Sequence, residues 1–425
     1  MSERTAGPGP ETSLLDASPD GAAKNGRATG RIAGRIALML PRYSTYGGVE
    51  QFGYRLAKAL AARGHSVDFI CARQEAETSP GVRVLAVGRP PGSRFLKLLW
   101  YLIRAERAVR RGRYDLTLSL GKTWSQDISR MGGGPLSVFW EKSEQSLPPG
   151  WPRFSKSLRR RLSPVNLLSL LVERRQFTES SEVIAVSHLV RQWLLKAHPA
   201  LKPERVSVVY NRPDLERFTA PSPDERDAAR RFLAESHGLS LPEPESGRPD
   251  PVFIGTASTN FRLKGLEPLI RAVALLPGNA CLLAAGGRDS MRYAALAKKL
   301  GLGGRVFFLG RVDDMPGFYR ALDVFILPTY YDACSNAVLE ALASGCRVIS
   351  ARDNGSAFFL DADSVLDDPG DAAAMAEGLR RAMLQGPPPA FAWPDTVESG
   401  LDAFVARLEE RLAERLSCRT PGKNP

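Results

Sequence analysis

Short runs of consecutive apolar residues alternate with longer stretches of helical periodicity along most of this chain. Ile36–Leu40 is the first such run. A glycine-bearing turn, Tyr46-Gly47-Gly48, follows it, and a helical pattern extends from Val49 to Arg63 with Gly64 placed to end the helix. Further apolar runs fall at Val67–Cys71, Leu116–Leu120, Val183–Val186 and Val206–Val209. Buried strands separated by helices predict a parallel sheet covered on both faces. Past Asn211 the rhythm stops in a charged, proline-rich segment, with one helix expected over Asp224–Glu235 and a loop over Leu241–Asp250. It resumes at Val252–Gly255, Cys281–Ala285, Val306–Leu309, Val324–Leu327 and Val348–Ser350, then ends at Gly386-Pro387-Pro388-Pro389. A last helix is expected from about Val397 to Leu416.

The pattern predicts an α/β protein with two tandem Rossmann-like, doubly wound domains facing a cleft. The expected boundaries are 1–30 for a disordered leader, 31–215 for an N-terminal domain and 216–395 for a C-terminal domain. Residues 396–425 should form a terminal helix and tail, with the helix packing back on the N-terminal domain. A chain of 425 residues fits two cores better than one. Ligands of such sheets bind beyond the carboxyl ends of the strands, so the cleft is the expected place for chemistry.

Composition narrows the classes. No apolar stretch approaches the roughly 18–20 residues that span a bilayer. Five scattered cysteines without a C-x-x-C pair suggest reduced thiols and a cytoplasmic setting. The formal charge of +12 fits an anionic partner but does not choose among nucleic acid, lipid and phosphorylated substrate. Two basic stretches, Arg94–Arg113 and Arg153–Arg175, interleave arginine and lysine with Phe95, Leu98, Leu99 and Trp100, and with Leu158, Leu162, Leu167, Leu168 and Leu170. That mixture suits an amphipathic helix on an anionic membrane surface, and equally a solvated helix of a soluble protein. No nucleic-acid-binding module is evident. Asp361-Ala362-Asp363 reads as a turn and not a metal site.

Candidate chemistry concentrates in Tyr330–Gly345, a loop running from a strand into a helix. Ser335 or Asn336 can cap that helix, leaving free amides for a diphosphate, while Asp332 lies on the loop and Glu340 one turn inside. An acid, seven intervening residues, then Glu and Ala-Leu-Ala-Ser-Gly resembles the donor-site motif of the family-4 retaining glycosyltransferases, which have GT-B architecture. There the first acid is usually Glu and touches the donor sugar. Here it is Asp332, as in some lipopolysaccharide-type members.

The resemblance continues in order along the chain. It implies that Arg262 and Lys264, within Thr259–Gly265, clamp the diphosphate in place of a metal, with no cofactor. It further implies that Glu340 holds the ribose, that Gly287 of Gly286–Asp289 lies at the donor, and that Arg311 and Val312 belong to the base-reading loop. Gly47 and Gly48 would approach the donor from across the cleft. A narrower resemblance, to enzymes that add glucose to the inner-core heptose of lipopolysaccharide, runs through Gly121–Asp127 and Gly132–Gly134. It implies Asp127 as an acceptor-hydroxyl partner and a peripheral place on the inner membrane. The expected partners are a nucleotide-sugar donor, favoured as UDP, a saccharide or glycolipid acceptor, and an anionic inner-membrane surface, with no nucleic acid. From the residues alone, a nucleotide-sugar epimerase and a non-catalytic basic binding protein remain alternatives.

Overall fold

The computed structural model describes residues 33–239, 250–287, 289–386 and 388–419. The leader expected at 1–30, most of the loop expected at 241–250, Arg288 and Pro387 lie outside the described residues. The first lobe contains β1 (Arg35–Met39), β2 (Arg42–Tyr43), α1 (Gly48–Ala62), β3 (Ser66–Cys71), β4 (Arg73–Gln74), β5 (Val82–Ala86), α2 (Arg94–Gly112), β6 (Leu116–Ser119) and β7 (Ile128–Met131). It continues through α3 (Leu136–Gln145), α4 (Trp151–Leu162), α5 (Pro164–Glu179), β8 (Glu182–Ala185), α6 (His188–Ala197) and β9 (Val206–Val208). After α7 (Pro223–His237), the second lobe runs through β10 (Val252–Ser258), α8 (Leu266–Val273), β11 (Ala280–Gly286), α9 (Ser290–Lys299), β12 (Val306–Gly310), α10 (Met315–Ala321) and β13 (Val324–Leu327). It closes with α11 (Asn336–Ala343), β14 (Arg347–Ala351), β15 (Val365–Leu366) and α12 (Ala372–Leu384), and α13 (Gly400–Arg419) follows.

Both main sheets are parallel, ordered β5-β3-β1-β6-β7-β8-β9 and β12-β11-β10-β13-β14-β15. In each, the third, second and first strands are followed by the fourth, fifth and sixth, the doubly wound Rossmann order with its switch point beside the first strand. The central strands are buried on both faces, which is why β1 and β13 read as apolar runs. Two strands of the first sheet were not anticipated. β5 lies at the sheet edge and is only partly covered, while β7 carries Ser129 and Arg130 in place of aliphatic residues.

α13 returns to the first lobe. Phe404, Val405, Leu408 and Leu412 join Ile36, Leu38, Leu56 and Leu116 in one buried cluster. Arg407 and Arg411 pair with the buried Glu182 at 2.9 and 2.6 Å. The second basic stretch is two helices, because Ser163 precedes Pro164 and takes an extended conformation that ends α4. Leu168 of α5 is buried against Leu102 and Val172 with Phe95, Leu98 and Leu99 packed alongside, so these side chains hold α2 to α5. Among the described residues no helix is long and apolar enough to cross a membrane. None of the five cysteines is paired.

Candidate active site between the lobes

The loop after β10 is built by local hydrogen bonds. Asn260 donates its backbone N–H to Ser258 Oγ at 2.9 Å, and its side-chain oxygen accepts from the Leu263 amide. Phe261 plugs the loop into the core against Tyr293 and Phe308. Gly265 has φ +67°, and a Cβ there would stand 2.1 Å from the Pro328 carbonyl oxygen. This frame aims Lys264 across to the loop after β13, where Nζ donates to Asp332 Oδ2 at 2.5 Å and to the Tyr331 carbonyl at 3.2 Å. Two residues 68 positions apart, each singled out from its own motif, therefore meet. Arg262 does not join them. It is exposed, its side chain forms no hydrogen bond or ion pair among the described residues, and it lines a separate cavity of about 250 Å³ with Gln145, Leu147 and Tyr330.

Asp332 is fixed by backbone and side chain. Its N–H donates to the Asp353 carbonyl, its own carbonyl accepts from Gly355, and Oδ1 accepts from the Cys334 amide. Asn354 holds the next turn, accepting from the Ser335 and Ser356 amides while donating to Ser350 Oγ. Ser335 caps α11 by accepting from the Val338 amide, leaving the first amides of the helix free for an anion. Asn336 Oδ1 accepts from Asn211 Nδ2 at 2.9 Å, and Asn211 in turn accepts from Arg130 of β7.

Glu340 lies one turn into α11. Burial pushes its carboxyl pKa up, opposed in part by the Tyr319 hydroxyl, which donates to Oε2 at 3.1 Å, and by nearby Arg217. Oε1 has no hydrogen-bond partner among the described residues. Gly47 has φ +102° at the start of α1, and Gly48 has nothing within 4 Å of a would-be Cβ. Gly48, Asp332, Ser335, Asn336 and Arg130 all line an interlobe cavity of about 310 Å³.

Two expectations acquire different physical causes. Gly287 is required by packing, since a Cβ there would stand 1.9 Å from the Phe261 ring, and its φ is +78°. Arg311 is exposed and pairs with Asp313 at 2.7 Å, while Val312 packs partly into the core. One expectation is corrected. Asp127 is not in the cleft. It precedes β7 at the amino end of the parallel sheet, where Oδ2 accepts from the amide and hydroxyl of Thr117 at 2.8 Å and Oδ1 meets Arg415 of α13. Both oxygens are engaged, so Asp127 ties the terminal helix to the sheet, away from the cleft where an acceptor would enter. Asp361 stands at the N-cap of a short 3-10 turn, Ala362–Ser364, which contains Asp363 and leads into β15.

Arg130, Asn211, Asn354 and Lys142 were not anticipated. Lys142 of α3 pairs with Asp353 at 2.9 Å, and Tyr331 reaches the Gly133 carbonyl while stacking on Trp193. An arginine inside a buried strand, two residues before Gly132–Gly134, was the available signal for Arg130.

Residues 46–217 match Glycosyltransferase Family 4, and residues 248–385 match Glycosyl transferases group 1. The lipopolysaccharide glucosyltransferase WaaG of Escherichia coli (strain K12) is 23% identical over 89% of this chain and 97% of its own length. The lipopolysaccharide core biosynthesis glycosyltransferase LpsE of Rhizobium meliloti (strain 1021) is 38% identical, but the match spans only 29% of this chain and 35% of that protein. The crystal structure of WaaG superposes with a TM-score of 0.63 at 20% identity, covering 89% of this chain and 93% of that one. Anabaena Alr3699/HepE in complex with UDP and glucose gives a TM-score of 0.58 at 18% identity, covering 90% and 99%. The chain is a glycosyltransferase of GT-B architecture and belongs to family 4. That class sets aside the epimerase and non-catalytic alternatives.

Proposed function

We propose that this glycosyltransferase is retaining and metal-independent, moving a hexose from a UDP-glucose-like donor to a lipopolysaccharide or other glycolipid acceptor. The contact between Lys264 and Asp332 at the amino end of α11 carries the reading, because it gathers a cation, a carboxylate and free helix amides at one point. Lys264 and the α11 amides would take the charge that grows on the departing diphosphate. Glu340 would hold the ribose and Asp332 a sugar hydroxyl. The acceptor oxygen attacks the anomeric carbon on the face the diphosphate leaves. The carbon–phosphate-oxygen bond breaks, and the acceptor proton passes to that oxygen. The names of WaaG and of the UDP- and glucose-bound HepE support this choice of donor and acceptor.

An anionic membrane surface fits the acceptor side. On α4, Trp151, Phe154, Leu158 and Leu162 form one exposed apolar row beside Arg159 and Arg161. Arg160 turns inward to Glu144 and the Trp140 carbonyl and takes no part. The test is turnover of a panel of nucleotide sugars with a lipopolysaccharide-core acceptor, with and without EDTA, and anomeric assignment of the product by NMR. Activity that persists in EDTA and gives the donor's anomeric configuration is expected. Dependence on added Mg²⁺ or Mn²⁺, or inversion, would overturn the reading.

A further inference from the structure

Arg130 is a buried cation without a carboxylate. The residue is 7% exposed, and among the described residues it forms no ion pair. A guanidinium has five N–H donors, and the one hydrogen bond here runs from Nη2 to Asn211 Oδ1 at 2.9 Å. Its flat face lies 3.9 Å from the Phe52 ring centroid, which supports the charge without using its donors. A buried charge without a counter-ion is costly to a fold, and burial pulls the Arg130 pKa down to about 10. A group that costs stability and keeps its donors free marks a place where a ligand completes the pairing.

The surroundings indicate the ligand. Arg130 lines the interlobe cavity with Gly48 at the start of α1 and Ser335 and Asn336 at the start of α11, so two helix amino ends open on the same space. Gly132 keeps that space open, since a Cβ there would stand 2.9 Å from Arg130 Nη1. Arg55 and Arg212 also line the cavity, and its one acid, Asp332, is already neutralised by Lys264. We propose that Arg130 is the N-lobe half of a phosphate-binding site, gripping a phosphate or diphosphate between the amino ends of α1 and α11. The inference rests on the transferase reading only in its choice of source, either the donor diphosphate or a phosphate carried by the acceptor.

The test is calorimetric titration of the full chain with inorganic pyrophosphate, with UDP, and with pyrophosphate after saturation by UDP. Wild type, Arg130→Gln and Arg130→Lys are compared, each with its Tm. Arg130→Gln is expected to weaken pyrophosphate at least tenfold, and Arg130→Lys to fall between it and wild type. If the donor supplies the phosphate, UDP weakens in parallel and competes with pyrophosphate. If the acceptor supplies it, UDP affinity holds and only pyrophosphate binding to the UDP-saturated protein is lost. A folded Arg130→Gln that binds pyrophosphate and UDP as wild type does would overturn the site. So would a wild type that binds no pyrophosphate. Should Arg130→Gln not fold, hydrogen exchange of wild type decides. Pyrophosphate must slow the amides of residues 48–52 and 336–338, and protection confined to the Lys264 loop would refute the proposal. A wild type that binds pyrophosphate but no nucleotide sugar would instead overturn the donor reading and leave this site standing.

Discussion

Replacing Glu340 by glutamine should separate donor binding from stability. Glu340 Oε2 accepts from the buried Tyr319 hydroxyl, and Oε1 is without a partner among the described residues and free for a ribose hydroxyl. Glutamine keeps an acceptor for Tyr319 and removes the buried charge, whereas alanine would strand the Tyr319 hydroxyl at a cost of about 1–3 kcal/mol to the fold. One hydrogen bond to a charged group is worth about 1.5–3 kcal/mol, so Glu340→Gln should weaken UDP by roughly 12- to 150-fold. The stability effect has the opposite sign. Burial raises the Glu340 pKa above 4.5, so the ionised form is disfavoured by folding. The neutral amide should therefore raise Tm at pH 7, an advantage that disappears as the pH falls through the folded pKa toward 4.5. Calorimetry with UDP and 2′,3′-dideoxy-UDP isolates the contact. Wild type should prefer UDP, and Glu340→Gln should lose that preference. A variant that still discriminates the two nucleotides as wild type does would refute the ribose assignment.

Asp332→Asn should free Lys264 for phosphate, tightening UDP about fivefold, or ~1 kcal/mol, while turnover falls. Weaker UDP binding by calorimetry would mean that Lys264 serves only Asp332. Glu182→Gln should lower stability at pH 7 by about 3 kcal/mol, the lower end for breaking a buried ion pair. Although burial pulls the other way, Ser207, Arg411 and Arg407 hold the Glu182 pKa below its ordinary 4.5, so its contribution is present above that value and lost as the pH falls below it. Wild-type Tm should therefore drop more steeply than that of the variant in acid, and parallel curves would contradict the assignment. Reversing the charge of both Arg159 and Arg161 should weaken binding to anionic vesicles by at least ~2 kcal/mol, at roughly 1 kcal/mol per basic residue, with donor affinity unchanged. Equal co-sedimentation of variant and wild type at low salt would remove α4 from any membrane role.

What could be read from the sequence depended on whether a feature was contiguous. β1 and β13 are buried on both faces, so each left an apolar run, whereas the edge strand β5 and the arginine-bearing β7 did not. The segment from Asp332 to Glu340 was legible because one strand–loop–helix unit carries both acids at a fixed spacing. Arg130, Asn211 and Asn336 form one hydrogen-bonded chain from three segments, with separations of 81 and 125 residues, and no local pattern announces it. Asp127 misled for a related reason. Its neighbours in sequence suggested the cleft, but a parallel strand that begins just after it puts it at the opposite end of the sheet. The basic stretches carried charge and apolarity without saying which side chains packed. Leu168 and Arg160 turn inward while Leu158 and Arg159 stay outside, a division made by tertiary contacts with α2 and α3.

The position of the contacts between the lobes ties ligand binding to lobe geometry. Residues 331–336 bear several of them: Tyr331 on Gly133 and Trp193, Ala333 accepting from Ser187 Oγ at 2.7 Å, and Asn336 accepting from Asn211. The same segment carries Asp332, which Lys264 neutralises from below, and the helix amides that await an anion. On the proposed reading, a phosphate that draws Lys264 away would leave Asp332 free to accept from a sugar hydroxyl, so filling one subsite would prepare the next. Because Asp332 lies between two residues that bear on the N lobe, any adjustment of its turn is transmitted to that lobe's surface. Lys142–Asp353 adds an ion pair to the strand of backbone that holds Asp332, reinforcing the same connection. Donor binding at this loop would then be linked to the fit of the lobes. On that reading residues 331–336 are one route between the two, beside the packing of His188 and Tyr210 on Phe358.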